Sequence, residues 1–246
     1  MSYDNERSDE MTDQSGPRYR RALIVGAGSG LSAALARRFA AQGMSVALAA
    51  RNPDKLAPLC ADIGAKSFAC DATDAAAVAG LFEQVEAGGG TPDVVVYNAS
   101  GRVRGPVASL DPEAVARALA VSAFGGFLVG QQAAQRMLGA GHGAILFTGA
   151  SASVKGYAES AAFAMGKFAL RGLAQSMARE LAPKGIHVAH FVIDGGIRSA
   201  SRPVPADAPD SLLDPEAIAE TYLHVLHQPR SAWTWEIELR PWVERF

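Results

Sequence analysis

Seven short apolar runs punctuate the chain: Ala22–Val25, Val46–Ala50, Ser67–Cys70, Val94–Tyr97, Ala144–Phe147, His187–Ile193 and Trp235–Leu239. Most are apolar throughout, which is how strands buried on both faces of a parallel sheet read. Helical patterns lie between them. Leu31, Leu35 and Phe39 recur every four residues, and Gly43 ends that helix. Asn52-Pro53-Asp54 sets a cap, a first-turn proline and an acid at the positive end of a helix that Gly64 closes. Asp111-Pro112-Glu113 and Asp214-Pro215-Glu216 repeat the opening signal, and a long helix from about Glu159 to Ala182 precedes Pro183 and Gly185. The alternation predicts an α/β fold: a single doubly wound parallel sheet with helices on both faces. No linker or repeat interrupts residues 19–246, so one domain is expected. Residues 1–18 carry Asp4, Glu6, Arg7, Asp9, Glu10 and Asp13 with little apolar content and are expected to form a flexible polar tail.

Composition narrows the function classes. With 246 residues, 49% hydrophobic and 20% charged, the chain can bury a full core. A net charge of -2 argues against a nucleic-acid partner. No apolar run approaches the roughly 18 residues of a membrane span, and the acidic start is unlike a secretory signal. A cytoplasmic protein without a membrane partner is the expectation. Cys60 and Cys70 have no metal-ligand or redox spacing, so no metal site is expected.

The first strand runs into Gly26-Ala27-Gly28-Ser29-Gly30-Leu31-Ser32, and a helix follows. Glycines in such a turn let the backbone approach a pyrophosphate, and the helix start supplies amide hydrogens and a favourable dipole. The loop fits Gly-x-x-x-Gly-x-Gly with Ser32 in the last place. The second strand ends in Arg51 with no acid at its tip, and a guanidinium matches a 2′-phosphate. NADP, rather than NAD, is the expected cofactor.

With this loop, Asp71 after the third strand and Asn98-Ala99 after the fourth, the chain resembles the short-chain dehydrogenase/reductase family from about Arg20 to Leu239. The segment Phe163–Gly196 is especially similar, with Lys167 on a long helix, Glu180-Leu181-Ala182-Pro183, and a strand ending in Asp194-Gly195-Gly196. The resemblance implies a Rossmann-like NAD(P)-binding fold and an oxidoreductase. By matching position, Asp71 and Ala72 flank an adenine, and Asn98 and Ala99 lie along its ribose. Ser100, Gly195, Ile197 and Lys167 complete the implied cofactor set.

The implied active site departs from the family. Its catalytic tyrosine stands four residues before the lysine, and here that place holds Phe163. Ala150 falls at the serine position with Ser151 one residue off, Ser122 at the asparagine, and Asp194-Gly195 at the Pro-Gly. The pattern is that of an atypical subgroup with Phe for Tyr. Phe163 has no proton to exchange, a role typically worth ~10²–10⁴ in rate. Ser151, Tyr157, Ser122, Tyr97 and a lysine-bound water are the candidate replacements. The expected function is an NADP-dependent oxidoreductase with a non-standard proton donor. The alternatives are a silent NADP(H)-binding sensor or scaffold, and a non-redox enzyme reusing the pocket. Arg198 and Arg202 in the substrate-covering segment Gly196–Leu213 suit an anionic substrate or solvent equally. The crowding of Trp233, Trp235 and Trp242, with the family habit, points to a homodimer or homotetramer.

Overall fold

Among the described residues of the computed structural model, 19–244, seven strands form one parallel sheet in the order β3-β2-β1-β4-β5-β6-β9. They are β1 (Arg21–Val25), β2 (Ser45–Ala50), β3 (Lys66–Ala69), β4 (Val94–Tyr97), β5 (Gly143–Thr148), β6 (Ile186–Ile193) and β9 (Glu236–Leu239). A separate parallel ladder joins β7 (Gly196–Ile197) to β8 (Leu212–Leu213). Every expected run becomes a strand, with ends shifted by a residue or two. β1, β4, β5 and β6 are buried on both faces, as continuous apolar runs require. The two edges differ: β3 and β9 have one neighbour each and are partly exposed. The tail expected over residues 1–18 lies outside the described residues.

The helices are α1 (Leu31–Ala41), α2 (Ala57–Ile63), α3 (Ala75–Gly89), α4 (Pro112–Leu119), α5 (Gly125–Ala140), α6 (Ala161–Leu181) and α7 (Pro215–Leu226). Strand periodicity sorts the core. Ile24, Leu48, Val96 and Phe191 face one side, with Leu35 and Phe39 of α1 and Tyr222 and Leu226 of α7. Leu23, Val95, Tyr97 and Phe147 face the other, with α3, α5 and α6. The caps read from sequence form: Asn52 accepts the Asp54 amide, Asp111 those of Glu113 and Ala114, and Asp214 that of Glu216. The proline signal at Asn52 first opens a short turn, Pro53–Leu56, and only then α2.

α4, a π turn at Ala120–Phe124 and α5 form a continuous helix, Pro112–Ala140, of 29 residues, which contains an 18-residue stretch with a mean hydropathy of 1.4, long and apolar enough by length and composition to cross a membrane. Scattered Ala, Val, Leu and Phe supply that hydropathy, so no unbroken run betrays it. Its α5 half buries Leu128, Val129, Ala133 and Met137 against the sheet, as a core helix does.

Candidate active site

The strands deliver the site at their carboxyl ends. After β1 the chain turns through Gly26 at φ +84°, and the Gly26 and Ala27 amides both donate to the Ala49 carbonyl, at 3.0 and 2.9 Å. Any side chain at Gly26 would run into the backbone of Ala99. Ser32 is buried; its hydroxyl donates to the Gly26 carbonyl at 3.2 Å and accepts from Asn98 Nδ2 at 2.6 Å. The serine that replaces a glycine thus ties the loop to the end of β4. Leu31 sends its side chain into the core. No side chain caps α1 at Gly30, so its first amides remain available to an anion. A Cβ at Gly28 or Gly30 would meet open space.

From this loop a cleft of ≈ 620 Å³ runs past Arg51, Lys55, Asp71, Ala72, Asn98, Ala99 and Ser100. The Asp71 carboxyl is held below its ordinary pKa chiefly by the Thr73 amide and hydroxyl, at 2.9 and 2.7 Å, with a smaller contribution from Arg51. Lys55, passed over in the sequence, adds a second cation beside Arg51. Its signal was the helical turn after Arg51, which carries Lys55 back to the cleft. A second cleft of ≈ 580 Å³ lies between Ser29, Gly30 and Arg37 and the covering-segment residues Arg198, Ser199 and Pro203. The open glycine cradle, the uncapped helix start and the paired cations fit a phosphorylated dinucleotide.

Lys167 and Phe163 stand side by side in the buried face of α6. The Lys167 ammonium donates to the Thr148 carbonyl at 2.6 Å and lies 5.9 Å from the Phe163 ring centre. Burial, helped by the Arg102 charge, lowers its pKa to about 7. Arg102, not singled out from the sequence, places its guanidinium 4.0 Å from the centre of the Phe163 ring. A cavity of ≈ 300 Å³ opens there, lined by Arg102, Arg104, Ser151, Tyr157, Glu159 and Phe163. Ser151 and Tyr157 therefore share a cavity with Phe163. Ser122 and Tyr97 do not reach it: the Ser122 hydroxyl is fully buried and accepts the Gly101 amide at 2.9 Å, and the buried Tyr97 hydroxyl donates to the Val121 carbonyl.

Behind the cavity is a network that the sequence did not disclose. Ser153 and His190 are fully buried, with Ser153 Oγ 3.3 Å from His190 Nε2 and His190 Nδ1 3.0 Å from Glu236 Oε2. Arg171 grips Glu236 through two hydrogen bonds, of 2.6 and 2.7 Å. Burial lowers the His190 pKa to about 4, so the ring is neutral at pH 7. A single tautomer satisfies every group: Nδ1–H donates to Glu236, Nε2 accepts from Ser153, and Ser153 accepts the Ala150 amide at 3.1 Å. A serine, histidine and glutamate in this order suggest a nucleophile, but sealed from solvent the serine meets no substrate. The chain braces the turn after β5. Gly149 belongs to the brace, because a side chain there would collide with the His190 ring. The Asp194 amide donates to the Leu239 carbonyl at 2.7 Å, a bond a proline could not make, and its carboxylate holds Lys155 at 3.0 Å. Gly195 abuts Pro241, and Ile197 pairs with Leu213 beside the core.

The family profile described as short chain dehydrogenase matches residues 20–202. The chain belongs to the short-chain dehydrogenase family. This family of oxidoreductases uses NAD(P), and its Rossmann-like sheet is the one described above. Among curated members the chain is 32% identical to the D-threitol dehydrogenase of Mycolicibacterium smegmatis over 68% of its length and 66% of that protein's, just under two thirds. It is 33% identical to the cis-4-hydroxycyclohexanecarboxylate dehydrogenase of Sinomonas cyclohexanicum over 69% of its length and 70% of that protein's. Among solved structures, a short-chain dehydrogenase from Rhodopseudomonas palustris is 38% identical, with a TM-score of 0.78 over 92% of this chain and 100% of that one. A metagenomic short-chain oxidoreductase in complex with NADP is 27% identical, with a TM-score of 0.78 over 92% of this chain and 98% of that one. In this chain the glycine loop, Asp71 and Asn98 line one cleft, and Lys167 stands beside Phe163, which lines the ≈ 300 Å³ cavity.

Proposed function

We propose that this short-chain dehydrogenase is an NADP-dependent oxidoreductase of an atypical kind, with Phe163 at the tyrosine position and Tyr157 giving or taking the proton. Arg51 and Lys55 bind the 2′-phosphate, the Gly26–Gly30 loop and the start of α1 bind the pyrophosphate, and Asp71, Ala72, Asn98, Ala99 and Ser100 hold the adenosine end. Gly195 and Ile197 border the nicotinamide end, where NADPH supplies the hydride when bound. Lys167 hydrogen-bonds the neighbouring ribose, and its low pKa lets it exchange a proton near pH 7. The observation that carries the reading is the shared cavity of Tyr157, Ser151 and Phe163, from which Tyr97 and Ser122 are closed off. A phenol is a far better acid than an alcohol, so Tyr157 takes the role ahead of Ser151. Lys155 supports it: its pKa is raised first by Asp194 and also by the nearby Tyr157.

The relatives' names point to alcohols and ketones as substrates. The assay is NADPH oxidation or NADP reduction over such a panel. Tyr157→Phe is expected to lower kcat by ~10² or more with NADPH affinity unchanged, and Ser151→Ala by much less. Calorimetry is expected to show NADPH binding tighter than NADH, with the preference lost in Arg51→Ala/Lys55→Ala. Equal cofactor affinities would remove NADP. Full activity in Tyr157→Phe would remove the proton route. A second reading, a silent NADP(H) sensor, draws support from the cation lying over Phe163, and cofactor binding without turnover on any member of the panel would establish it.

A further inference from the structure

Arg102 and Arg104 come from the loop after β4, two residues apart, and both line the ≈ 300 Å³ cavity beside Phe163 and Tyr157. The Arg102 contact with the Phe163 ring, 4.0 Å from guanidinium carbon to ring centre, spends none of its N–H donors on a hydrogen bond to a described residue. Neither arginine makes an ion pair or hydrogen bond with a described residue, whereas Arg198 of the covering segment is held by Asp214 at 2.7 Å. Burial, then Arg104, then Arg202 depress the Arg102 pKa, so two further guanidinium groups lie close enough to act on it. Lys167 adds to the same field from behind. The one acid in the cavity lining, Glu159, forms no ion pair within reach of the three. Like charges gathered in a partly desolvated cavity repel, and a bound anion removes the repulsion while filling the forks.

We propose that the cavity is an oxyanion-binding subsite, and that the substrate is a carbonyl compound or alcohol carrying a carboxylate or phosphate held by Arg102 and Arg104. Arg202, whose side chain lies against Gly196 in the covering segment, adds its positive charge to that of Arg102. This rests on the dehydrogenase reading for the word substrate; the anion site itself does not require turnover. It is distinct from the cations at Arg51 and Lys55, which line the other cleft.

The test is calorimetric titration of the whole protein, with and without saturating NADPH, using cyclohexanecarboxylate, cyclohexyl phosphate and the neutral cyclohexanecarboxamide. One or both anions are expected to bind at least about tenfold tighter than the amide, the stronger of the two naming the group. Arg102→Gln and Arg104→Gln are each expected to weaken anion binding about tenfold and leave the amide unchanged. Arg117→Gln, on the exposed face of α4, is expected to change nothing. NADPH affinity, measured on every variant, reports that each is folded and that the arginines do not serve the cofactor. Equal binding of amide and anions, no anion binding at millimolar concentration, or an unchanged anion preference in the Arg102→Gln/Arg104→Gln double variant would each overturn the proposal. So would a parallel loss of NADPH affinity. Failure of the parent to bind NADPH would overturn the dehydrogenase reading instead, while the anion preference without cofactor would still stand or fall by itself.

Discussion

Phe163 concentrates the chemistry of single residues. Its ring lies under the Arg102 guanidinium and within 5.9 Å of the Lys167 ammonium. A hydroxyl added there would face two cations, and both would lower its pKa. Phe163→Tyr is therefore expected to gain carbonyl reduction on small ketones over the parent, by less than the full ~10²–10⁴ of general acid help, because Ala150 offers no second hydroxyl. Ala150→Ser should add to it, more than additively if both groups hold one oxygen. NADPH oxidation at saturating cofactor measures both. Titration gives a second test. The His190 pKa falls from 6.5 to about 4 on folding, so the unfolded chain binds more protons between those values. Its contribution to stability is present above pH 6.5 and is lost as pH falls toward 4. Lys167 likewise falls from 10.5 to about 7, and the penalty of its buried charge is relieved as pH rises above 7. Denaturant titrations of the cofactor-free protein should show both slopes. Lys167→Met should abolish the alkaline one, and a slope unchanged in that variant would assign it elsewhere.

At the scale of elements, β9 is fastened by a side-chain network as well as by its ladder to β6. Arg171 of α6, Glu236 of β9, His190 of β6 and Ser153 after β5 link four segments in one satisfied chain. Removing one member strands its neighbours in a buried place. Ser153→Ala leaves His190 Nε2 and the Ala150 amide without their partner and is expected to cost about 1–3 kcal/mol. Arg171→Met is expected to cost a similar amount through the half-buried Glu236, and the two losses should couple because they share the network. Urea denaturation of the two single variants and the double variant decides. Additive losses would show two separate contacts.

For the whole molecule, the apolar side chains left in solvent lie mainly on one pair of helices and their approach. Phe124 and Phe127 stack at 6.2 Å by the start of α5, and Met165 and Phe168 stand out from α6. The tryptophans that first suggested an interface are largely spent within the chain: Trp233 stacks on His187 at 4.5 Å, and Trp235 receives Arg171. Trp242 alone is widely exposed, with its indole N–H on Asp210. We propose a homodimer or homotetramer formed through α5 and α6. Light scattering at micromolar concentration is expected to give a dimer or tetramer mass, and Phe124→Glu/Phe168→Glu a monomer. A monomeric parent would remove the proposal.

The sequence by itself determined what local physics decides. Continuous apolar runs set the strands, Asn52, Asp111 and Asp214 started helical turns, and Gly26 and Gly64 turned where positive φ was needed. The register of Lys167 against Phe163 was legible for the same reason, since four residues of helix fix a shared face. Tertiary structure decided the rest, because it brings together residues that no local pattern relates. Ser153, His190 and Glu236 are separated by 37 and 46 positions and meet only because β5, β6 and β9 are adjacent in the sheet. Arg102 lies over Phe163 only because the loop after β4 folds across the start of α6. Sheet order, which no single strand encodes, chose which polar groups would be buried together, and burial then set their charges.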